Sequence, residues 1–508
     1  MSTSPRRTRV AALALATCLA GLPAAADTLR IGLNSDPDAL DPDTSRTVAA
    51  RSVFMALCDK LIDIDADLNF VPQLATGWTW SDDLLALTLE LRDDVVFHDG
   101  ESFDAAAVAF NIERSLTHPR STRRSEISAV ERAVVVDTHQ VRLELSQPFV
   151  PLIAALADRA GMMVSPQAVE AAGDDFALAP ACAGPYRFVE RVQLDRIVVE
   201  RFPDHWDADA YAIERIVFQP VPDSTVRVAN LRSGDLDLIE QVAPTDMAVL
   251  EGLPGIRLEA ITGLGSHYVQ FNVGAPEGSE WRTPMIEDAR LREAFELAID
   301  RPALNQVTNE GLFTPGNQPV PPTSPFYVAE LPPPGRDVER ARALLREAGH
   351  ERLAMRMITP TTTAYQRTAE ILQAMLAEAE IDLQLVGMEV VTALDHESRG
   401  DFEALLIRWS GRADPDGNIA SFLTCAGSLN GGSYCNPAVD EAIAAARATA
   451  DVEARYAAYR EAADHYLAER PFVYLFHEHY LFALRDRVQG FVPVPDGLVR
   501  FRGMSLDG

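Results

Sequence analysis

Residues 409–418 read WSGRADPDGN, a tryptophan and two small residues followed by Arg412 and an acidic turn, Asp414-Pro415-Asp416-Gly417. Such residue types build a loop. A guanidinium in it is a permanent positive charge that can pair bidentately with a carboxylate. Arg412 is therefore a candidate anion-binding residue, with Trp409 a stacking surface and Asp414 beside both. The competing reading is that Arg412 pairs with Asp414 or Asp416 and holds its own turn, with Trp409 in the core. Arg408, alternating with Trp409, is expected to face the other way in a structural role. Asp414-x-Asp416-Gly417 resembles the start of a calcium loop, but the twelfth position is Cys425 rather than an acid. His477-Glu478-His479 would put two imidazoles on one face of a strand with no third ligand close in sequence, so no metal site is assigned. G-x-S-x-G, H-E-x-x-H, a Gly-rich phosphate loop and a dinucleotide fingerprint are all missing from the sequence. No catalytic residue and no cofactor is assigned.

The residues around these groups set the compartment and exclude several partners. Arg6, Arg7 and Arg9 precede an apolar run from Val10 to Leu22 and the small residues Ala24-Ala25-Ala26. That is the pattern of a secretory signal peptide over residues 1–26, too short to anchor in a bilayer. Arg6-Arg7 fits a twin-arginine route poorly, and Thr17-Cys18 fits a lipidation site poorly. The formal charge of −30 over 508 residues repels phosphate backbones and anionic lipid, which excludes nucleic-acid and membrane-surface roles. Without Cys18, four cysteines remain, as expected for two disulfides in an exported chain, and they allow three pairings. Cys425 and Cys435 flank the flexible loop CAGSLNGGSYC; Cys58 and Cys182 then pair by elimination.

The elements that must position these residues have α/β texture. LRIGL (29–33) is a buried-type strand ending in the turn at Asn34. Leu85, Leu87, Leu89 and Leu91 alternate as a half-buried strand before the turn that carries His98. Residues 133–145 form a hairpin, RIVVERF and RIVFQPV are strands, and 226–231 is helical. Asp104, Asp337, Asn436 and Asp451 are helix caps, and Leu291, Ala294, Phe295 and Ala298 line one face of another helix. The proline-rich stretch 313–335 reads as a surface crossing rather than a packed element.

VPQLATGWTWSDD, LRDDVVFHDGESFDAAAVAFNIERSL, GPYRF (184–188), LRSGDLDL (231–238), FNV (271–273) and DARLREAFELAIDR (288–301) occur in that order along the chain. Together they resemble the extracytoplasmic solute-binding proteins of ABC importers, in the family named for peptide, opine and nickel uptake. The resemblance implies the periplasmic-binding-protein type II fold of α/β class, two lobes joined by a hinge plus an inserted extra domain. Lobe I would comprise 27–70, 183–272 and 484–508, the insert 71–182, and lobe II 273–483. It also implies a periplasmic receptor that closes on a small-molecule or short-peptide ligand and delivers it to the permease subunits at the inner membrane, acting as a monomer. In dipeptide-binding relatives the loop after this tryptophan carries an aspartate for the peptide ammonium, where Arg412 stands here. The arginine expected for the peptide carboxylate is replaced by the region of Thr361 and Thr362. His267 and Tyr268 are plausible pocket walls, and Asn34 joins them as a ligand-binding candidate. The expected cargo is an anionic or opine-like amino-acid derivative or an acidic short peptide. The alternatives are a metal-chelate or haem carrier, requiring His477 and His479 in the cleft, and a hydrolase on a binding fold.

Overall fold

The run TLRIGL forms strand Thr28–Leu33, in which Leu29, Ile31 and Leu33 are fully buried. It lies between two parallel neighbours, Arg215–Pro220 and Leu238–Ile239. Leu29, Ile31 and Leu33 alternate with Thr28, Arg30 and Gly32, so the apolar side chains share one face, the one on the core. The computed structural model describes residues 28–507, so the leader and its cleavage site lie outside the described residues. No described helix is long and apolar enough to cross a membrane.

One sheet runs through the molecule. Its spatial order is Ile381–Met388, Leu353–Pro360, Ala404–Trp409, Ile256–Phe271, Phe472–Arg485, Leu238–Ile239, Thr28–Leu33, Arg215–Pro220, Arg196–Arg201 and Tyr186–Val192. The central pair, of 16 and 14 residues, is antiparallel and belongs to both halves. Its pairing is interrupted between Thr262 and Ser266 and again at His267. Ladder bonds are lost and twist increases at such interruptions, which makes this the natural place for the halves to pivot. A separate four-stranded sheet, in the order Ala75–Trp80, Ala86–Leu91, Gln140–Leu145, Val130–Asp137, packs with helix Ala105–Thr117 around a core of its own.

Local signals explain the helix starts. Asp104, Asp337, Asn436 and Asp451 each accept a hydrogen bond from a first-turn amide, at 2.8–2.9 Å. The proline-rich crossing differs from expectation, because residues 316–321 are buried. The Gln318 carboxamide accepts from the Val328 amide at 3.0 Å and donates to its carbonyl at 2.8 Å. It thereby supplies hydrogen bonds that the neighbouring prolines cannot donate.

Glu240, just after strand Leu238–Ile239, is 1% exposed and takes a 2.7 Å hydrogen bond from Ser52 Oγ. Burial pushes its pKa up to about 7 from 4.5, against the pull of Ser52 and Arg227. The folded chain therefore holds this proton more tightly than the unfolded one. Stability is complete below 4.5 and falls as pH rises to about 7. Glu240→Gln keeps an acceptor for Ser52 and is expected to gain ~1–3 kcal/mol at pH 8 but nothing at pH 4. Denaturant midpoints at the two pH values measure this; equal effects at both would refute it.

Candidate ligand-binding site

The loop that carries Arg412 is shaped by two neighbours. At Gly411 the backbone has φ +79°, and an added Cβ would stand 2.3 Å from the Leu264 carbonyl group, so only glycine fits. Asn418, in helix Asp416–Leu423, clamps the turn. Its Oδ1 accepts from the Arg412 amide at 2.7 Å and from Trp409 Nε1 at 2.9 Å, and its Nδ2 donates to the Arg412 carbonyl at 2.8 Å. The guanidinium lies 4.4 Å over the Trp409 ring, whose edge meets Phe422. Trp409 is thus both a platform for Arg412 and a core contact.

Arg412 does not pair with the acids of its own turn, although its Nη1 donates to the neighbouring Gly411 carbonyl at 2.8 Å. Asp414 is held by Arg455 at 2.8 Å, and Asp416 binds Arg447 through two bonds of 2.6 and 3.0 Å. Arg412 instead reaches residues far back in the chain. Its Nε is 3.5 Å from Asp158 Oδ2 and its Nη2 is 3.8 Å from Glu126 Oε1. A cavity of about 530 Å³ opens beside this contact, within the usual range for a small-ligand site. Arg46, Arg51, Ser121, Thr122, Arg123, Ser125, Glu126, Phe149, Asp158 and Arg159 form one wall, and Trp409, Ser410, Arg412, Asp414, Asp416, Leu429 and Arg447 form the other.

The charge in this cavity is unbalanced. With Asp414 and Asp416 committed to Arg455 and Arg447, four guanidiniums, of Arg51, Arg123, Arg159 and Arg412, share two carboxylates, Asp158 and Glu126, and the exposed Arg46 also lines the cavity. Asp158 takes Arg51 bidentately at 3.2 and 3.0 Å. Burial would raise its pKa, but Arg51, Arg412, Arg159 and Arg123 outweigh burial and hold it far below the usual carboxylate range. Arg159 is 4% exposed, and its Nε has no hydrogen-bond partner among the described residues. Burial first, then the like charge of Arg123, push its pKa down; burial does the same to Arg412. Arginine keeps its proton at neutral pH regardless, so the strain persists as positive potential that a bound anion relieves.

Of the ligand-binding candidates read from sequence, Trp409, Arg412 and Asp414 line the cavity, and Thr361, Thr362, His267, Tyr268 and Asn34 do not. Thr361 and Thr362 are exposed at the start of helix Thr363–Ala377, where the Thr361 amide bonds the Met388 carbonyl. Asn34 Nδ2 donates to Gln241 Oε1, at 2.6 Å, in the first half of the sheet. Tyr268 is 5% exposed and packs edge-on against Phe422, Phe472 and Tyr474, so it is core. His267 lies between the crossover strands, 3.6 Å from Glu478 and against Phe476. Strand periodicity explains His267, which pairs with Arg408 on the face opposite Trp409; Tyr268, opposite Ile407, shares the face of Trp409 and packs with it against Phe422. Arg408 pairs with Glu478 at 2.6 Å.

His477 is fully buried, with Nδ1 3.2 Å from the Gly265 carbonyl, and His479 sits between the hydroxyls of Thr262 and Thr314. Neither lines the cavity, and no group of three or more His, Cys, Asp or Glu among the described residues is arranged to hold a metal. His98 accepts from the Cys182 amide through Nδ1 and faces the Gly184 carbonyl through Nε2. The disulfides are Cys425–Cys435 and Cys58–Cys182. The first closes the loop bearing Ser428 and Leu429 of the cavity wall; the second joins the end of the Arg51 helix to Cys182, just before strand Tyr186–Val192.

Sequence reasoning missed the wall formed by Arg51, Arg123, Glu126, Asp158 and Arg159. One signal was present: Arg51 is the sole charge in the apolar helix VAARSVFMAL. A lone cation on such a helix requires a buried partner. The partner lies 107 residues away, beyond any local pattern.

A charged cavity of this size, between halves joined by two long crossover strands, is the geometry of a ligand-binding protein. The model of the bacterial extracellular solute-binding proteins, family 5, matches residues 69–430, and the chain belongs to that family. It is a periplasmic solute-binding receptor of an ABC importer, of the kind that captures small molecules or peptides and works with a membrane permease. It is similar to the glutathione-binding protein GsiB of Salmonella paratyphi A, 29% identical over 512 residues, which covers 98% of this chain and 97% of that protein. The GsiB of Escherichia coli O157:H7 is 28% identical over 520 residues, the full length of both. Among solved structures, the binding protein AgaA of A. tumefaciens R10 in complex with agropinic acid superposes with a TM-score of 0.82 at 26% identity, over 95% of this chain and 99% of that one. A dipeptide-binding protein of Pseudoalteromonas sp. SM9913 in complex with Met-Leu gives 0.83 at 23% identity, over 94% and 100%, which speaks for the fold alone.

Proposed function

We propose that the cargo is a small organic anion carrying more than one carboxylate, an acidic peptide of the glutathione type or an opine-like amino-acid derivative, bound in the cavity beside Arg412. The observation that carries this reading is the surplus of guanidiniums over carboxylates on the two walls. A ligand carboxylate placed between Arg412 and Arg159 would relieve positive charge that the protein leaves unmatched, and such charge-assisted pairs are the strong ones. The named ligands of the relatives, glutathione and agropinic acid, are acids of fitting size. In this reading the chain acts as a monomer, residues 71–182 form the inserted domain, and the halves close about the crossover strands. Closure buries the anion and presents the form that an inner-membrane permease recognises.

Isothermal titration of the purified protein with glutathione, agropinic acid and the uncharged-side-chain dipeptide Met-Leu tests the assignment. At least one of the two acids is expected to bind at least tenfold more tightly than Met-Leu. Preference for Met-Leu over both acids would refute it.

A further inference from the structure

The same walls carry a second kind of recognition, and its assignment rests on the anionic-cargo reading above. Four carboxylates line the cavity. Asp158 uses both oxygens on Arg51 and gives Oδ1 also to the Arg159 amide at 2.8 Å. Asp416 uses both on Arg447. Asp414 is 6% exposed at its side chain and is held by Arg455 and the Asp416 amide. Glu126 differs. Its side chain is 23% exposed, Oε1 accepts from Arg123 Nη1 at 2.6 Å, and Oε2 has no hydrogen bond among the described residues. It is the most open carboxylate in the cavity, and it stands opposite the loop of Arg412.

We propose that Glu126 is the specificity residue that receives a ligand ammonium group, so that the receptor selects amino di-acids over di-acids of the same shape without the amine. The geometry supports a zwitterionic pose. Ligand carboxylates meet the cations on either side, Arg412 and Arg159, while Glu126 Oε2 takes an N–H between them. The acid for the amine is then on the inserted-domain wall, and the loop after Trp409 offers the cation. A plain di-acid leaves Glu126 facing the ligand's negative charge with nothing to bind, and that mismatch is the basis of discrimination.

Two probes decide the matter: glutathione, and glutaryl-cysteinyl-glycine, the same tripeptide with hydrogen in place of the α-amino group. Titration calorimetry on the wild type is expected to show at least tenfold tighter binding of glutathione. Glu126→Gln is expected to erase most of that difference, weakening glutathione about tenfold while leaving the desamino probe unchanged or tighter. A merely structural role for Glu126, in holding Arg123, would lower both affinities together and would lower the melting temperature; that result overturns the proposal. Equal binding of both probes to the wild type overturns it too and leaves the anionic reading standing. Loss of the preference in Asp414→Asn but not in Glu126→Gln assigns the amine to the other wall and also overturns it. Binding of neither probe, with agropinic acid bound or not, removes the acidic-peptide form of the proposed cargo and this inference with it.

Discussion

Arg412→Ala is expected to weaken binding of the anionic ligand tenfold to a hundredfold while the melting temperature of the free protein stays within about 2 °C. The asymmetry follows from the contacts. In the protein itself the ion pairs of Arg412 are long, at 3.5 and 3.8 Å, and its short contacts are a 2.8 Å bond from Nη1 to the adjacent Gly411 carbonyl and the Trp409 ring. Asp158 keeps its bidentate partner Arg51 when Arg412 is removed. The turn is held by Asn418 through backbone groups that the substitution leaves in place. Little folding energy is at stake. On binding, by contrast, a ligand carboxylate loses its cation. Truncating one partner of a buried charge pair typically costs ~2–5 kcal/mol. Arg412 retains 16% exposure, which lowers the expectation to ~1.4–2.7 kcal/mol, or ten- to a hundredfold. Titration calorimetry beside thermal melts of the free protein separates the two effects. A melting temperature that drops in step with affinity would show Arg412 to be a structural clamp and would remove it from the site.

Glu478→Gln is expected to lower stability by ~2–4 kcal/mol at pH 7. Glu478 sits on crossover strand Phe472–Arg485, is 7% exposed at its side chain, and binds Arg408 at 2.6 Å with His267 at 3.6 Å, so it joins three strands at the pivot. Removing its charge strands the Arg408 guanidinium against the sheet, though Arg408 keeps 32% exposure and the penalty is discounted accordingly. Burial opposes the charge on Glu478, but Arg408 and then His267 outweigh burial and hold its pKa at about 2, below 4.5. The sign is that of a depressed acid. The contribution is complete above 4.5 and is lost as pH falls toward 2. The gap between wild type and variant, measured by guanidinium unfolding, should therefore be full at pH 7 and narrow steadily below pH 4.5. A gap that is the same at pH 7 and pH 3 would mean the glutamine is simply badly packed.

Which parts of the site could be read in advance depended on whether the signal was local. The caps at Asp104, Asp337, Asn436 and Asp451 are satisfied within two or three residues, so their sequence context suffices. Arg412 stood out because a cation in a polar loop after a tryptophan is visible in ten residues. Thr361 and Thr362 were misplaced because position relative to a helix start does not tell which way the helix end points. Tyr268 was misplaced because an aromatic at a sheet crossing suits a pocket wall and a core equally well until its neighbours are known.

The amino-acid sequence by itself determined the periodic elements, their caps, the acidic exterior and the arginine in the loop, since each depends on residues within about one turn or strand length of one another. Only the tertiary structure decided what that arginine faces. Arg51, Glu126, Asp158 and Arg159 reach Arg412 from more than 250 positions away along the chain, and a local reading assigned its partner to Asp414 or Asp416, which fold onto Arg455 and Arg447 instead. Charges interact through space with a strength set by distance and burial, and neither quantity exists until the two walls are brought together.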